Sequence, residues 1–148
     1  MIDIDLHSYK ERLKLKNEKG IVYIFDIIRK KYLVLQPEEL VRQLLIQYLI
    51  FRGYPKEKIQ VEKGLDVNGL KRRFDIVVYD SNFRPYLLIE CKAHTIAIDQ
   101  STFDQMANYN LVMRAPYLMA CNGVQTYCCA LDYNVKEIKH LDYIPAYQ

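Results

Sequence analysis

Arg72-Arg73-Phe74-Asp75-Ile76-Val77-Val78-Tyr79 leads into Asp80-Ser81-Asn82-Phe83-Arg84 and then Pro85-Tyr86-Leu87-Leu88-Ile89-Glu90-Cys91-Lys92. The outer segments are β-branched and aromatic, and the middle one is polar, so the stretch reads as two strands joined by a turn. With Tyr79 set opposite Tyr86, the antiparallel register puts Asp75 opposite Glu90. Opposed residues share a face, with Cβ atoms roughly 4.5–5.5 Å apart. Lys92, two residues beyond Glu90, projects to that same face, and Cys91 to the other. The neighbours Ile76, Val77, Val78, Leu87, Leu88 and Ile89 are apolar on both sides, the pattern of a central strand.

Three charged groups in such a run call for a physical partner, because buried charges are generally paired or bound to metal. Two opposed carboxylates repel unless something positive lies between them. An oxygen-liganded divalent cation fits, and Mg²⁺ (or Mn²⁺) is typically held by one or two carboxylates and several waters. The competing reading is an Asp75–Lys92 or Glu90–Lys92 ion pair with no metal.

Asp75, a spacer and Glu90-Cys91-Lys92 resemble the signature of the PD-(D/E)xK nuclease superfamily, an Asp followed by Glu-x-Lys on the next strand. Pro37-Glu38-Glu39-Leu40-Val41-Arg42-Gln43 ahead of it and Gln105-Met106-Ala107-Asn108-Tyr109-Asn110 behind it are similar to the nuclease domain at the N-terminus of type I restriction endonuclease R subunits. The similarity runs from about Tyr23 to about Tyr127. The triplet alone is weakly specific; the ordered helix, triplet and Gln-x-x-x-Tyr segment are much more so. Phe74 stands where the superfamily name has Pro, and no motor domain follows in these residues.

The rest of the chain bounds the reading. Its 148 residues suit one domain, 1–148, in which residues 1–20 form a short helix, a strand edge or a loosely ordered arm. A formal charge of +3 is too mild to announce nucleic acid by itself. Cys91, Cys121, Cys128 and Cys129 lack zinc spacing, and neither a secretory h-region nor a membrane-length apolar run is present. They read as reduced thiols of a cytoplasmic protein.

Ile21–Phe25 and Tyr32–Leu35 read as a hairpin. Pro37 opens a helix with Glu38 and Glu39 in its first turn, ending near Arg52 before Gly53. Val41, Leu44, Leu45, Tyr48 and Leu49 form its core stripe. At 100° per residue Glu38 lies near the edge of that stripe, while Glu39 points away toward solvent. Arg42, one turn on, is placed to pair with Glu38 or to touch phosphate. Asn68-Gly69 marks a hairpin turn. Pairing Val67 with Leu70 sets Glu62 opposite Asp75, as an accessory group or, more plainly, a partner of Arg73 or Lys71. A second helix, capped by Ser101 or Thr102 and ending before Pro116, buries Phe103, Met106 or Ala107, and Asn110-Leu111. Gln105 and Tyr109 share one of its faces. Tyr117–Ala120 and Thr126–Ala130 form a last hairpin, followed by a tail that forms a short helix or an edge strand.

The resemblance implies an α/β, restriction-endonuclease-like core in α-β-β-β-α-β order, a mixed central sheet flanked by helices. It also implies Mg²⁺-dependent hydrolysis of DNA phosphodiesters. Asp75 and Glu90 would hold the metal, Glu38 would join them, and Lys92 would act on the attacking water. Gln105, Tyr109, Arg42, Glu62 and Arg73 are accessory or DNA-contacting candidates. The implied partners are DNA, separate helicase or methyltransferase subunits of a restriction system and, as one option, a second copy of the chain. The rival function is a nuclease-fold module that binds nucleic acid or a partner without cutting.

Overall fold

The computed structural model describes residues 1–148, with every side chain except that of Leu65. A 3-10 helix, Leu6–Arg12, precedes β1 (Leu15–Glu18), β2 (Ile21–Asp26) and β3 (Lys31–Val34), which pair as a three-stranded antiparallel sheet. Then come α1 (Pro37–Phe51), β4 (Ile59–Val67), β5 (Leu70–Tyr79), β6 (Pro85–Cys91), α2 (Gln100–Met113), β7 (Tyr117–Cys121), β8 (Thr126–Asp132) and β9 (Glu137–Leu141). β4 to β9 form one sheet in sequential order, antiparallel except where β6 and β7 run parallel. Parallel neighbours need a crossover, and α2 is that crossover.

Helices cover both faces of the six-stranded sheet, which explains why its central strands are apolar without alternation. On one face Ile76, Val78, Leu87, Ile89, Cys91 and Met119 pack with Val41, Leu44, Leu45 and Tyr48 of α1. On the other, Val77, Leu88, Leu118, Ala120 and Cys129 pack with Phe103 and Met106 of α2. From α1 onward the order is α-β-β-β-α-β, as expected, with β8 and β9 extending the sheet. The mixed sheet between α1 and α2 is a restriction-endonuclease-like core. All four cysteines are buried and unbridged.

Several open points are decided and some expectations corrected. Of the alternatives for residues 1–20, the short helix and a strand form rather than the loose arm: Ile2 and Leu6 are buried against the α1 side, and the Ile2 amide donates to the Thr126 carbonyl at 2.8 Å. Tyr79 pairs with Pro85 rather than Tyr86, because the register shifts between Val78 and Tyr79. The pairs Ile76–Ile89, Val77–Leu88 and Val78–Leu87 nonetheless follow the expected register. The tail forms edge strand β9 and then folds back, Ile144 joining the core and Tyr147 donating its hydroxyl to the Tyr79 carbonyl at 2.9 Å.

α2 begins two to three residues earlier than a cap at Ser101 or Thr102 would set it. Asp99 is its cap, accepting from the Thr102 amide at 3.3 Å, so no capping box forms at Thr102–Gln105. Leu111 is 63 % exposed, and Asn110 takes the buried place instead. Its amide donates to the Ala115 carbonyl at 2.9 Å and its oxygen accepts from the Ala115 amide at 2.8 Å, closing the helix end where Arg114 turns left-handed. Asn110→Ala orphans the Ala115 amide in the core, while the Ala115 carbonyl keeps only the Tyr133 hydroxyl, which donates to it at 2.7 Å. Loss of these buried bonds is expected to cost about 2–3 kcal/mol, read as a fall in urea midpoint without a change in slope.

Candidate active site

Asp75 of β5, Glu90 of β6 and Lys92 just beyond it lie where the two ladders around β5 open. The β5–β6 pairing is last seen at Ile76–Ile89. On the other side, Val61–Ile76 and Lys63–Phe74 flank an unpaired Glu62/Asp75 position. Glu62 has φ +52°, a left-handed conformation that costs a non-glycine residue on the order of 1 kcal/mol or more. Phe74 and Val77, three residues apart, both pack on the α2 side, which regular alternation does not allow. Asp75 sits at this break. Its Oδ2 accepts from the Cys91 amide at 2.6 Å, so a carboxylate takes the place of a ladder carbonyl.

Glu90 and Lys92 fall beside Asp75. Lys92 Nζ lies 3.8 Å from Glu90 Oε1, with about a quarter to a third of each side chain exposed. Burial, and after it the charge of Asp75, push the Glu90 carboxyl up to about 8. Glu38, exposed in the first turn of α1, is also raised, by partial desolvation and then by Asp75, with Lys92 and Arg42 opposing. Those influences place Glu38 within the field of the same cluster. Cys91 is fully buried on the α1 side, as alternation requires.

A carboxyl held protonated in the fold weakens the fold once pH rises above its unfolded value. For Glu90 that window runs from about 4.5 to about 8. Glu90→Gln is therefore expected to stabilise the metal-free protein, negligibly at pH 5 and by on the order of 2 kcal/mol at pH 8.5. The check is Tm against pH for both proteins; parallel curves contradict it.

Glu39 does not point to solvent. It is 9 % exposed, its Oε2 accepts from Gln43 Nε2 at 3.2 Å, and it pairs with Arg29 at 3.3 Å and Arg42 at 3.6 Å. The i+3 and i+4 spacing of Arg42 and Gln43 was the available signal. Arg42 is 4 % exposed and turns inward, 3.2 Å from Glu62 and 3.7 Å from Asp75. It has no surface to offer a phosphate, and no ion pair joins it to Glu38 among the described residues. Glu62 also pairs with Arg73 at 3.1 Å, its plainer expected role.

Gln105 Nε2 donates to the Tyr109 hydroxyl at 3.0 Å, and the Tyr109 ring stands edge-on to Phe74. The Arg72 guanidinium lies over that ring at 5.5 Å. This contact was not singled out from the sequence; only the basic run leading into Asp75 hinted at it. His94 is exposed and bonds to none of these groups among the described residues.

The donor set fits a cation of modest demands. No group of three or more His, Cys, Asp or Glu side chains converges tightly enough to cage a metal among the described residues. Two carboxylates, Asp75 and a Glu90 raised by burial and by the charge of Asp75, match an ion that keeps most of its waters, as Mg²⁺ does. Asp75 and Glu90 would hold it, with Glu38 at its outer side.

The mixed sheet between two helices, with Asp75, Glu90 and Lys92 where its central strands part, is a restriction-endonuclease-like α/β fold. The chain matches the family described as "Type I restriction enzyme R protein N terminus (HSDR_N)" over residues 37–145, and it belongs to that family. It is similar in structure to a fragment assigned as the HsdR subunit of a type I restriction enzyme from Vibrio vulnificus YJ016. The TM-score is 0.50 at 17% identity, covering 69% of this chain and 22% of that one, which speaks to fold alone. The chain thus spans about a fifth of that structure's length. No curated protein sequence matches it.

Proposed function

We propose that the protein is a metal-dependent deoxyribonuclease of the PD-(D/E)xK type, acting as a single domain within a type I restriction system. The observation that carries this is the convergence of Asp75, Glu90 and Lys92 where the strands part. A Mg²⁺ or Mn²⁺ ion held by Asp75 and Glu90 would polarise a phosphoryl oxygen and lower the pKa of bound water. Lys92, 3.8 Å from Glu90, would orient the attacking water and offset charge building on the phosphate. Glu38 takes the outer position. Arg72 and Arg73, with Gln105 and Tyr109 nearby, present donors and a ring edge toward a backbone that would otherwise be repelled by the carboxylates. DNA is the proposed substrate, and separate helicase or methyltransferase subunits are the proposed partners, in the cytoplasm.

The rival reading, a module that binds without cutting, draws support from the ionic contacts already present: Glu90 faces Lys92, and Asp75 is engaged by Cys91 and Arg42. Incubation of supercoiled plasmid with the protein, with Mg²⁺ or with chelator, separates the two. Nicking or linearisation that depends on Mg²⁺ is expected. DNA retention on a gel with no cleavage under any divalent cation favours the module.

A further inference from the structure

Behind the candidate site lies a chain of charges that leaves the family-matched segment altogether. Asp26, at the end of β2, is fully buried. Its Oδ2 accepts from Arg29 Nε at 2.5 Å, and its Oδ1 accepts from the amides of Ile28 at 2.8 Å and Arg29 at 3.1 Å. Arg29 is thereby fixed at its root by one carboxylate. Its two terminal nitrogens then reach different elements: Nη2 lies 3.3 Å from Glu39 of α1, and Nη1 lies 3.5 Å from Glu62 of β4. Those same two carboxylates hold Arg42, whose Nη2 stands 3.7 Å from Asp75.

The alternation Asp26–Arg29–Glu39/Glu62–Arg42–Asp75 joins the small N-terminal sheet to the candidate metal ligand through buried or half-buried groups. Each arginine bridges two or more acids, so neither acid of the middle pair can turn without breaking contacts on both sides. Arg42 Nε is buried without a hydrogen-bond partner, 3.6 Å from Glu39, so its guanidinium is committed to the three carboxylates by its terminal nitrogens and by charge. Glu62, left-handed and outside the ladder, has its position set by these ion pairs instead of by strand pairing. Such a network is what a fixed carboxylate geometry requires, because outer partners orient the groups that hold a metal.

We infer that Arg29, anchored by Asp26, is a positioning residue for the site: through Glu39, Glu62 and Arg42 it sets where the Asp75 carboxylate stands. The three-stranded sheet outside residues 37–145 is then part of the site's scaffold rather than an appendage. This rests on the proposed metal-dependent reading for its functional meaning, though the coupling itself does not.

The test is a double-mutant cycle in the full chain between Arg29→Lys, which keeps the charge and loses the fork, and Asp75→Asn. Among the described residues no ion pair joins Arg29 to Asp75 directly, so coupling in the unfolding equilibrium must pass through the network. The combined effect is expected to depart from the product of the single effects by about threefold or more; agreement within about twofold overturns the inference. If Arg29→Lys does not fold, Asp26→Asn serves in its place. Mn²⁺ titration adds a second arm: Arg29→Lys is expected to weaken binding of the ion several-fold. Unchanged affinity beside a wild-type protein that binds also overturns it. A wild-type protein that binds no Mn²⁺ sinks the proposed function, while the cycle still decides the coupling.

Discussion

Asp75→Ala and Lys92→Ala are each expected to reduce Mg²⁺-dependent cleavage by about two to three orders of magnitude or more, the scale on which a positioned proton-handling group contributes. The two losses have different origins. Asp75 is 14% exposed in its side chain and supplies a carboxylate that the proposed ion needs. Removing it also strips the Cys91 amide and Arg42 of their acceptor, so some loss of stability accompanies the loss of activity. Asp75→Asn keeps an acceptor for Cys91 and separates the two effects. Lys92 makes one long contact, 3.8 Å to Glu90, and its removal should leave the fold untouched. Plasmid cleavage, with circular dichroism to confirm folding, reads both. Undiminished cleavage by either variant removes the mechanism.

The second large effect concerns the break in β5. Phe74 is fully buried, packs in the α2-side cluster and meets Tyr109 edge-on at 6.3 Å between ring centroids. It is the residue that turns out of alternation and so fixes the backbone on one side of Asp75. Phe74→Ala should cost about 3–5 kcal/mol from lost burial and the cavity left behind. That corresponds to a fall in Tm of roughly 10 °C for a chain of this size. Phe74→Leu, which fills most of the space, should recover most of it. A loss below about 1 kcal/mol for the alanine variant would mean that the ring does not anchor the break.

The parts of the fold that the sequence made legible are those set by local patterns. Setting Tyr79 opposite Tyr86 across the turn placed Ile76, Val77 and Val78 opposite Ile89, Leu88 and Leu87, and the ladder keeps those pairs. Pro37 and Gly53 bracketed α1, and Asn68-Gly69 turned the β4–β5 hairpin, each through backbone preferences carried by single residues. The turn between β5 and β6 was read one residue off, since a bulge at Tyr79 leaves no trace in composition.

The misreadings at the site share one cause. Angular placement on a helix predicts facing relative to that helix's own stripe, and it put Glu39 in solvent. Tertiary ion pairs from Arg29, ten residues earlier, and from Arg42 and Gln43 make its burial favourable. Arg42 turned inward for the same reason, toward carboxylates on β4 and β5 that no local window contains. Of the expected pair Asn110-Leu111 only Asn110 is buried, where it satisfies the two backbone groups of Ala115, a demand invisible to hydrophobic periodicity, and Leu111 is left in solvent.

The central claim is that Asp75 and Glu90 together hold one divalent cation. Calorimetric titration of Mn²⁺ into the wild-type protein and into Asp75→Ala and Glu90→Gln tests it most directly. The account predicts saturable binding below millimolar concentration for the wild type and its loss in both variants. It also predicts proton release on binding below pH 8, because the ion displaces the proton that Glu90 carries up to about that pH. No binding by the wild type, or equal binding by all three proteins, would contradict it.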